Sequence, residues 1–238
     1  MIAFFVAGAL AQGEAEFEAA NEALAAGDLA LAERQYRAAL DVGGVDADVY
    51  YDLGNVLYRQ QKLGLSILAW RRSLALAPRD PDAAANLDFA RRARRDDVSG
   101  ADPYPVWAPW QAALTGDEGQ WIGAALAAAG LLAVALRART THLPLAGLGG
   151  MAVGFGVFVA AGGVMDGRLP AAAVVLIDEV SAQSDLGGGV DLFLLHLGAE
   201  VQVLEVASER VLVALGDGRR AWLPASALGR VDPWAPMP

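Results

Sequence analysis

Few residues in this sequence are suited to covalent chemistry. There is no cysteine, so a thiolate nucleophile, a disulfide, a Cys-based zinc site and a lipoprotein anchor are all excluded. The two histidines, His142 and His196, belong to different segments. No G-x-S-x-G, P-loop, H-E-x-x-H or dinucleotide fingerprint occurs. Carboxylates are abundant, but the pairs Asp117-Glu118 and Asp178-Glu179 read as solvated loop charges, and His196 as a solvated turn residue. We therefore expect a non-enzyme: no catalytic residue, no cofactor and no metal site. With 28 acidic against 18 basic residues the formal charge is −10. That speaks against nucleic acid, whose phosphates need a basic face.

What the spacing does offer is non-covalent binding. With Ala20 laid on Gly54, an offset of 34, Asn21 falls on Asn55, Gly27-Asp28 on Gln61-Lys62 and Ala32 on Ser66. Tyr36 falls on Trp70, Ala39 on Ser73 and Leu40 on Leu74. In the second unit, residues 47–80, Tyr50, Leu53-Gly54, Leu57, Trp70 and Pro78 form a pattern that resembles the tetratricopeptide family, two amphipathic helices per unit. Ser66 and Ser73 depart from the preferred Ala but are small enough for close packing. A third helix over 82–95 brings Ala84, Leu87 and Ala90 inward. Its arginines, Arg91, Arg92, Arg94 and Arg95, read as the solvated cap of a solenoid.

Tetratricopeptide units bind peptides or partner proteins along a concave face lined by the first helix of each pair. The resemblance implies partner-binding positions Phe17, Asn21 and Leu24 in the first unit, and Tyr51, Asn55, Tyr58 and Arg59 in the second. Asn at both equivalent positions could hydrogen-bond an extended peptide backbone. The competing reading of Tyr51 and Tyr58 is packing inside the superhelix. Chaperone-tail versions of the family carry lysines for a terminal carboxylate, and the matching positions here lack them.

Other elements would position this solenoid, residues 13–96. Residues 1–11, ending Ala9-Leu10-Ala11, read as a signal peptide, with the mature chain near Gln12. Residues 97–118, with Pro103, Pro105 and Pro109 around Trp107 and Trp110, read as a linker. Two uncharged runs follow, 119–136 and 143–165. As helices they would span about 27 and 35 Å, against a hydrocarbon core of about 30 Å. They predict a transmembrane hairpin, with Arg137 and Arg139 in a cytoplasmic loop and both flanks outside. A buried helical hairpin is the alternative. From 171 to 231 the period becomes β-like. Val174, Leu176, Val180, Leu192, Leu194, Val201, Val203, Leu204, Val211 and Val213 lie in short runs between glycines. The stretch from Gly218 through Trp222 to Leu228 resembles the closing segment of a bacterial SH3-like barrel, with Trp222 in the core. Part of that family's ligand groove is missing at Val180–Ser184 and near Arg210-Val211.

The predicted fold class is therefore a multidomain membrane protein: tetratricopeptide solenoid, transmembrane hairpin and small all-β SH3-like barrel. This order resembles the BatE-type proteins of the Bacteroides aerotolerance operon. The resemblance implies a scaffold in the bacterial inner (cytoplasmic) membrane whose solenoid and barrel face the periplasm or cell exterior. It implies von Willebrand factor A domain membrane proteins as partners, in a complex with a MoxR-type ATPase. The expected function is a non-enzymatic adaptor acting through the solenoid groove. The alternative is a peptidoglycan-binding anchor acting through the barrel.

Overall fold

The computed structural model describes residues 2–96, 116–139, 153 and 172–238. They fall into two compact units, Met1–Asp102 with Pro170–Pro238, and Pro103–Leu169.

The first unit opens with five helices: α1 (Ile2–Ala25), α2 (Leu29–Gly43), α3 (Ala47–Arg59), α4 (Leu63–Leu76) and α5 (Pro81–Ala93). From Ile2 onward, α1 runs unbroken through the stretch expected to be a leader. The 34-residue spacing is visible in the backbone. Asp46 caps α3 by accepting from the N–H groups of Asp48 and Val49 at 2.8 and 3.2 Å. Asp80, 34 positions on, caps α5 through Asp82 and Ala83 at 2.9 and 3.2 Å. Each cap satisfies N–H groups that a helix start leaves without intrahelical partners. Gly27 and Gln61, also 34 apart, both take positive φ, +80° and +64°, where one helix of a pair turns into the next. Glycine does this freely and glutamine does not.

Packing repeats as well. Ala20 and Tyr36 are fully buried between α1 and α2, and Gly54 and Trp70 hold the equivalent places between α3 and α4. A Cβ on Gly54 would stand 2.6 Å from Trp70 Nε1, so only glycine allows the indole to lie so close. Pro81 begins α5 at a position where its missing N–H has no helical use. Helices α1 to α5 thus form a repeat-like region of helix pairs with a fifth helix added.

Seven strands follow: β1 (Ala172–Val175), β2 (Glu179–Gln183), β3 (Asp191–His196), β4 (Glu200–Ala207), β5 (Arg210–Ala214), β6 (Arg220–Pro224) and β7 (Leu228–Arg230). They make one antiparallel sheet in the order β3-β2-β6-β5-β4-β1-β7. This corrects the expected SH3-like barrel. The sheet is open, because β3 and β7 end it on opposite sides and do not pair, and β2 meets β6 only at Gln183 and Trp222. Alternation fixes the inner face: Val201 and Val203 on β4, Val211 and Val213 on β5, and Ala221 and Leu223 on β6 are buried. Trp222 sits between two inward residues and is half-exposed, so it is not the core residue expected. Leu192, Leu194 and Leu204 are likewise exposed.

Helices and sheet share a core. Ile67, Leu68 and Trp70 of α4 and Leu87 and Ala90 of α5 are buried together with Val174 of β1. The turn at Gly198 closes on Ile67, and Gly229 of β7 on Leu68.

In the second unit the described helix is α6 (Gly116–Arg139). Among the described residues no helix is long and apolar enough to cross a membrane. This overturns the transmembrane hairpin and the inner-membrane localisation that rested on it, with the two-sided topology. In the sequence of α6 the uncharged stretch lies between Asp117-Glu118 and Arg137, and alanine and glycine make up much of it. Such a run reaches only about 27 Å, short of the roughly 30 Å core, and its small side chains give little transfer energy per residue. The second run, 143–165, lies outside the described residues except for Val153, as does nearly all of the 97–118 linker.

Candidate functional site

The seven predicted partner-binding residues divide into two groups. In the first pair, Phe17 packs on Tyr36 with ring centroids 5.9 Å apart. Asn21 is exposed, and its carbonyl accepts from the Tyr36 hydroxyl at 2.5 Å. Burial, with a smaller effect from the Asp52 charge, pushes the Tyr36 phenol up to about 12, so it stays a donor at any ordinary pH. Leu24 packs against the buried core of α1–α3. Asn21 thus has its oxygen occupied by the Tyr36 hydroxyl.

The second group gathers between α3 and α5. Asn55 Oδ1 accepts from Asn86 Nδ2 at 2.9 Å, and the same amide reaches the Tyr51 hydroxyl at 3.4 Å. Tyr58 lies on Trp70 and edge-on to Phe89, at 5.8 Å in each case. Phe89 is 57% exposed, and Tyr51, Asn55 and Tyr58 are half-buried. Asp52, beside them, is pushed up from the ordinary carboxylate range by burial, opposed by the Asn55 amide and assisted by Asp48. Arg59 is exposed at the end of α3. The arrangement is a polar line flanked by an open aromatic shelf, suited to an extended chain with apolar side chains. Asn86 and Phe89 were not expected here. Phe89 stands 34 residues after Asn55, so extending the alignment by one unit would have placed it on this face.

A second polar cluster fastens the sheet to the helices. Glu200, at the start of β4, is 3% exposed. Arg91 grips it with two donors at 2.7 and 2.8 Å, Arg94 adds one at 2.9 Å, and Arg71 stands 3.4 Å away. Burial alone would raise this carboxyl. The Arg91 hydrogen bonds and the charges of Arg71, Arg91 and Arg94 outweigh that and hold it below the usual glutamate range. The arginines of α5 are therefore not merely a solvated cap. His196 is not a free turn residue either. Asp96 accepts from its backbone N–H at 2.6 Å and pairs with Nδ1 at 2.8 Å, while Glu179 lies 3.7 Å from Nε2. Neither cluster leaves a nucleophile beside a base, and both join distant parts of the chain.

Among the described residues no group of three or more His, Cys, Asp or Glu side chains could hold a metal ion. Compared with models of protein families and with curated proteins, the chain matches none.

Proposed function

We propose that this chain is a non-enzymatic adaptor that binds a partner protein along the face of α1, α3 and α5, in the manner of tetratricopeptide units. The observation that carries the reading is the open shelf of Tyr58 and Phe89 beside the Tyr51–Asn55–Asn86 line. Large exposed aromatics next to half-buried polar groups supply apolar anchorage and orientation together. The 34-residue repeat of caps and turns supports it, because it sets successive first helices in equivalent positions. The net charge of −10 suits a protein partner rather than nucleic acid.

The BatE-type resemblance now rests on the repeat region, since neither the hairpin nor the barrel that completed it is retained. Von Willebrand factor A domain proteins are the partners it suggests testing first. The wall-binding alternative depended on the barrel, whose place the open sheet takes. The test is a pull-down with the full chain, comparing wild type with Asn21→Ala/Asn55→Ala and with Phe89→Ser. The reading expects a partner recovered by wild type and reduced at least tenfold by Phe89→Ser. Equal recovery of every partner by all three chains removes the groove from the account.

A further inference from the structure

The face formed by α2, α4 and Tyr50 already holds residues 230–238, which turn at Asp232, where Ala235 N–H donates to Asp232 O and Trp234 N–H to Asp232 Oδ1, both at 3.0 Å. Arg72 of α4 is 1% exposed, and its hydrogen bonds go to main-chain oxygens and to the Tyr50 hydroxyl rather than to a carboxylate. Nη1 donates to Ala235 O at 2.9 Å, and Nη2 to Arg230 O at 2.9 Å and Pro236 O at 3.4 Å. Nε donates to Arg230 O at 3.2 Å. Tyr50, whose ring lies 5.6 Å from the Arg72 guanidinium carbon, donates its hydroxyl to Pro233 O at 2.6 Å. Arg37 of α2 donates to Met237 O at 3.3 Å and Pro238 O at 2.9 Å. A buried guanidinium is unfavourable unless its N–H groups are met, and here residues 230–238 meet them.

The chemistry on the two sides is complementary. Every hydrogen bond from the cradle to the segment is a donation from Arg37, Tyr50 or Arg72. The segment Asp232-Pro233-Trp234-Ala235-Pro236-Met237-Pro238 is rich in proline, which has a carbonyl and no N–H. The occupant is held by its main chain more than by its side chains. Trp234 is 75% exposed, while Met237 packs against the helical cores. A cavity of about 370 Å³ stays open beside it, lined by Arg37, Leu40, Asp41, Val45 and Tyr50 and by the segment itself. Trp234, the largest side chain of the segment, lines that space without filling it.

We infer that this face is a receptor for proline-rich segments, and that residues 232–238 are a resident occupant which a partner segment of the same chemistry displaces. This face lies on α2, α4 and Tyr50, whereas the proposed groove uses Tyr51, so the two readings stand or fall separately. The partner's extra affinity comes from a bulky apolar side chain seated in the open cavity.

The chain has no cysteine, so Trp234→Cys gives one attachment point for a fluorophore on the full chain. The anisotropy of that label is followed while the peptide Pro-Trp-Ala-Pro-Met-Pro is added. A tethered occupant acts at an effective concentration of roughly millimolar, so the titration runs to about 20 mM. The inference expects a high starting anisotropy, a saturable fall, and a midpoint at least tenfold higher for a peptide with alanine in place of each proline. Tyr50→Phe, which keeps the ring and removes one donor, should lower the starting anisotropy with the circular dichroism unchanged. An anisotropy that stays high to the end of the titration would show a fixed strut and overturn the inference. So would equal displacement by the proline and alanine peptides.

Discussion

The Glu200→Gln chain probes the joint between helices and sheet. The substitution keeps the shape of the side chain and removes its charge, leaving Arg91, Arg94 and Arg71 around a neutral amide. One amide oxygen can still accept, but the new N–H₂ group faces donors. Removing one partner of a buried pair costs ~3–5 kcal/mol. Here the Arg71 and Arg91 side chains are 27% and 31% exposed, so water takes over part of their loss, while Arg94 is only 5% exposed. The lower end applies, about 3 kcal/mol, a large part of a domain stability of roughly 5–15 kcal/mol. Urea unfolding at pH 7, followed by circular dichroism, reads this as a lower midpoint at unchanged slope. The pH dependence supplies a second check. Folded Glu200 lies below the ordinary glutamate value of about 4.3. Its contribution is present in full above that value and is lost as the pH falls through the lower folded value. The gap between the two chains should therefore narrow below about pH 4. A gap under about 0.5 kcal/mol at pH 7, or one that does not narrow in acid, refutes the assignment of Glu200 as the charged centre of this joint.

Two further substitutions test the repeat. Gln61 pays for a positive φ that its repeat equivalent Gly27 takes freely, so Gln61→Gly should raise stability by about 0.5–1 kcal/mol in thermal or urea unfolding. Gly54→Ala puts a methyl 2.6 Å from Trp70 Nε1. The clash, about 1–3 kcal/mol, outweighs a helix-propensity gain of about 1 kcal/mol, so a net loss near 1 kcal/mol is expected and a stabilised chain would contradict the packing described.

What the sequence made legible was local and periodic. The 34-residue offset placed Ala20 with Gly54 and Tyr36 with Trp70, because small-against-aromatic packing leaves a fixed spacing. The caps Asp46 and Asp80 and the turn positions Gly27 and Gln61 carry the same offset and were there to be found. What stayed hidden depends on distant parts of the chain meeting. Arg91 and Arg94 looked like a solvated cap because their partner, Glu200, lies 109 and 106 residues further along. His196 looked free because Asp96 is 100 residues away. Alternation located strands, but closure depends on which strands meet, and β3 and β7 do not. The SH3-like resemblance implied a core place for Trp222, yet Ala221 and Leu223 hold the inward positions of β6. Length and absence of charge suggested a span at 119–136, where alanine and glycine contribute little apolar surface. The role of the proline-rich segment 232–238 has no sequence signature, because main-chain carbonyls leave no mark in side-chain pattern.

The most direct measurement of the adaptor reading is site-specific photo-crosslinking on the full chain. A benzophenone amino acid is placed at Tyr51, at Phe89 and, as a control, at the exposed Glu209 between β4 and β5. The account predicts that the same partner protein is captured from positions 51 and 89 and not from 209. Capture from 209 alone, or the same products from all three positions, would contradict it.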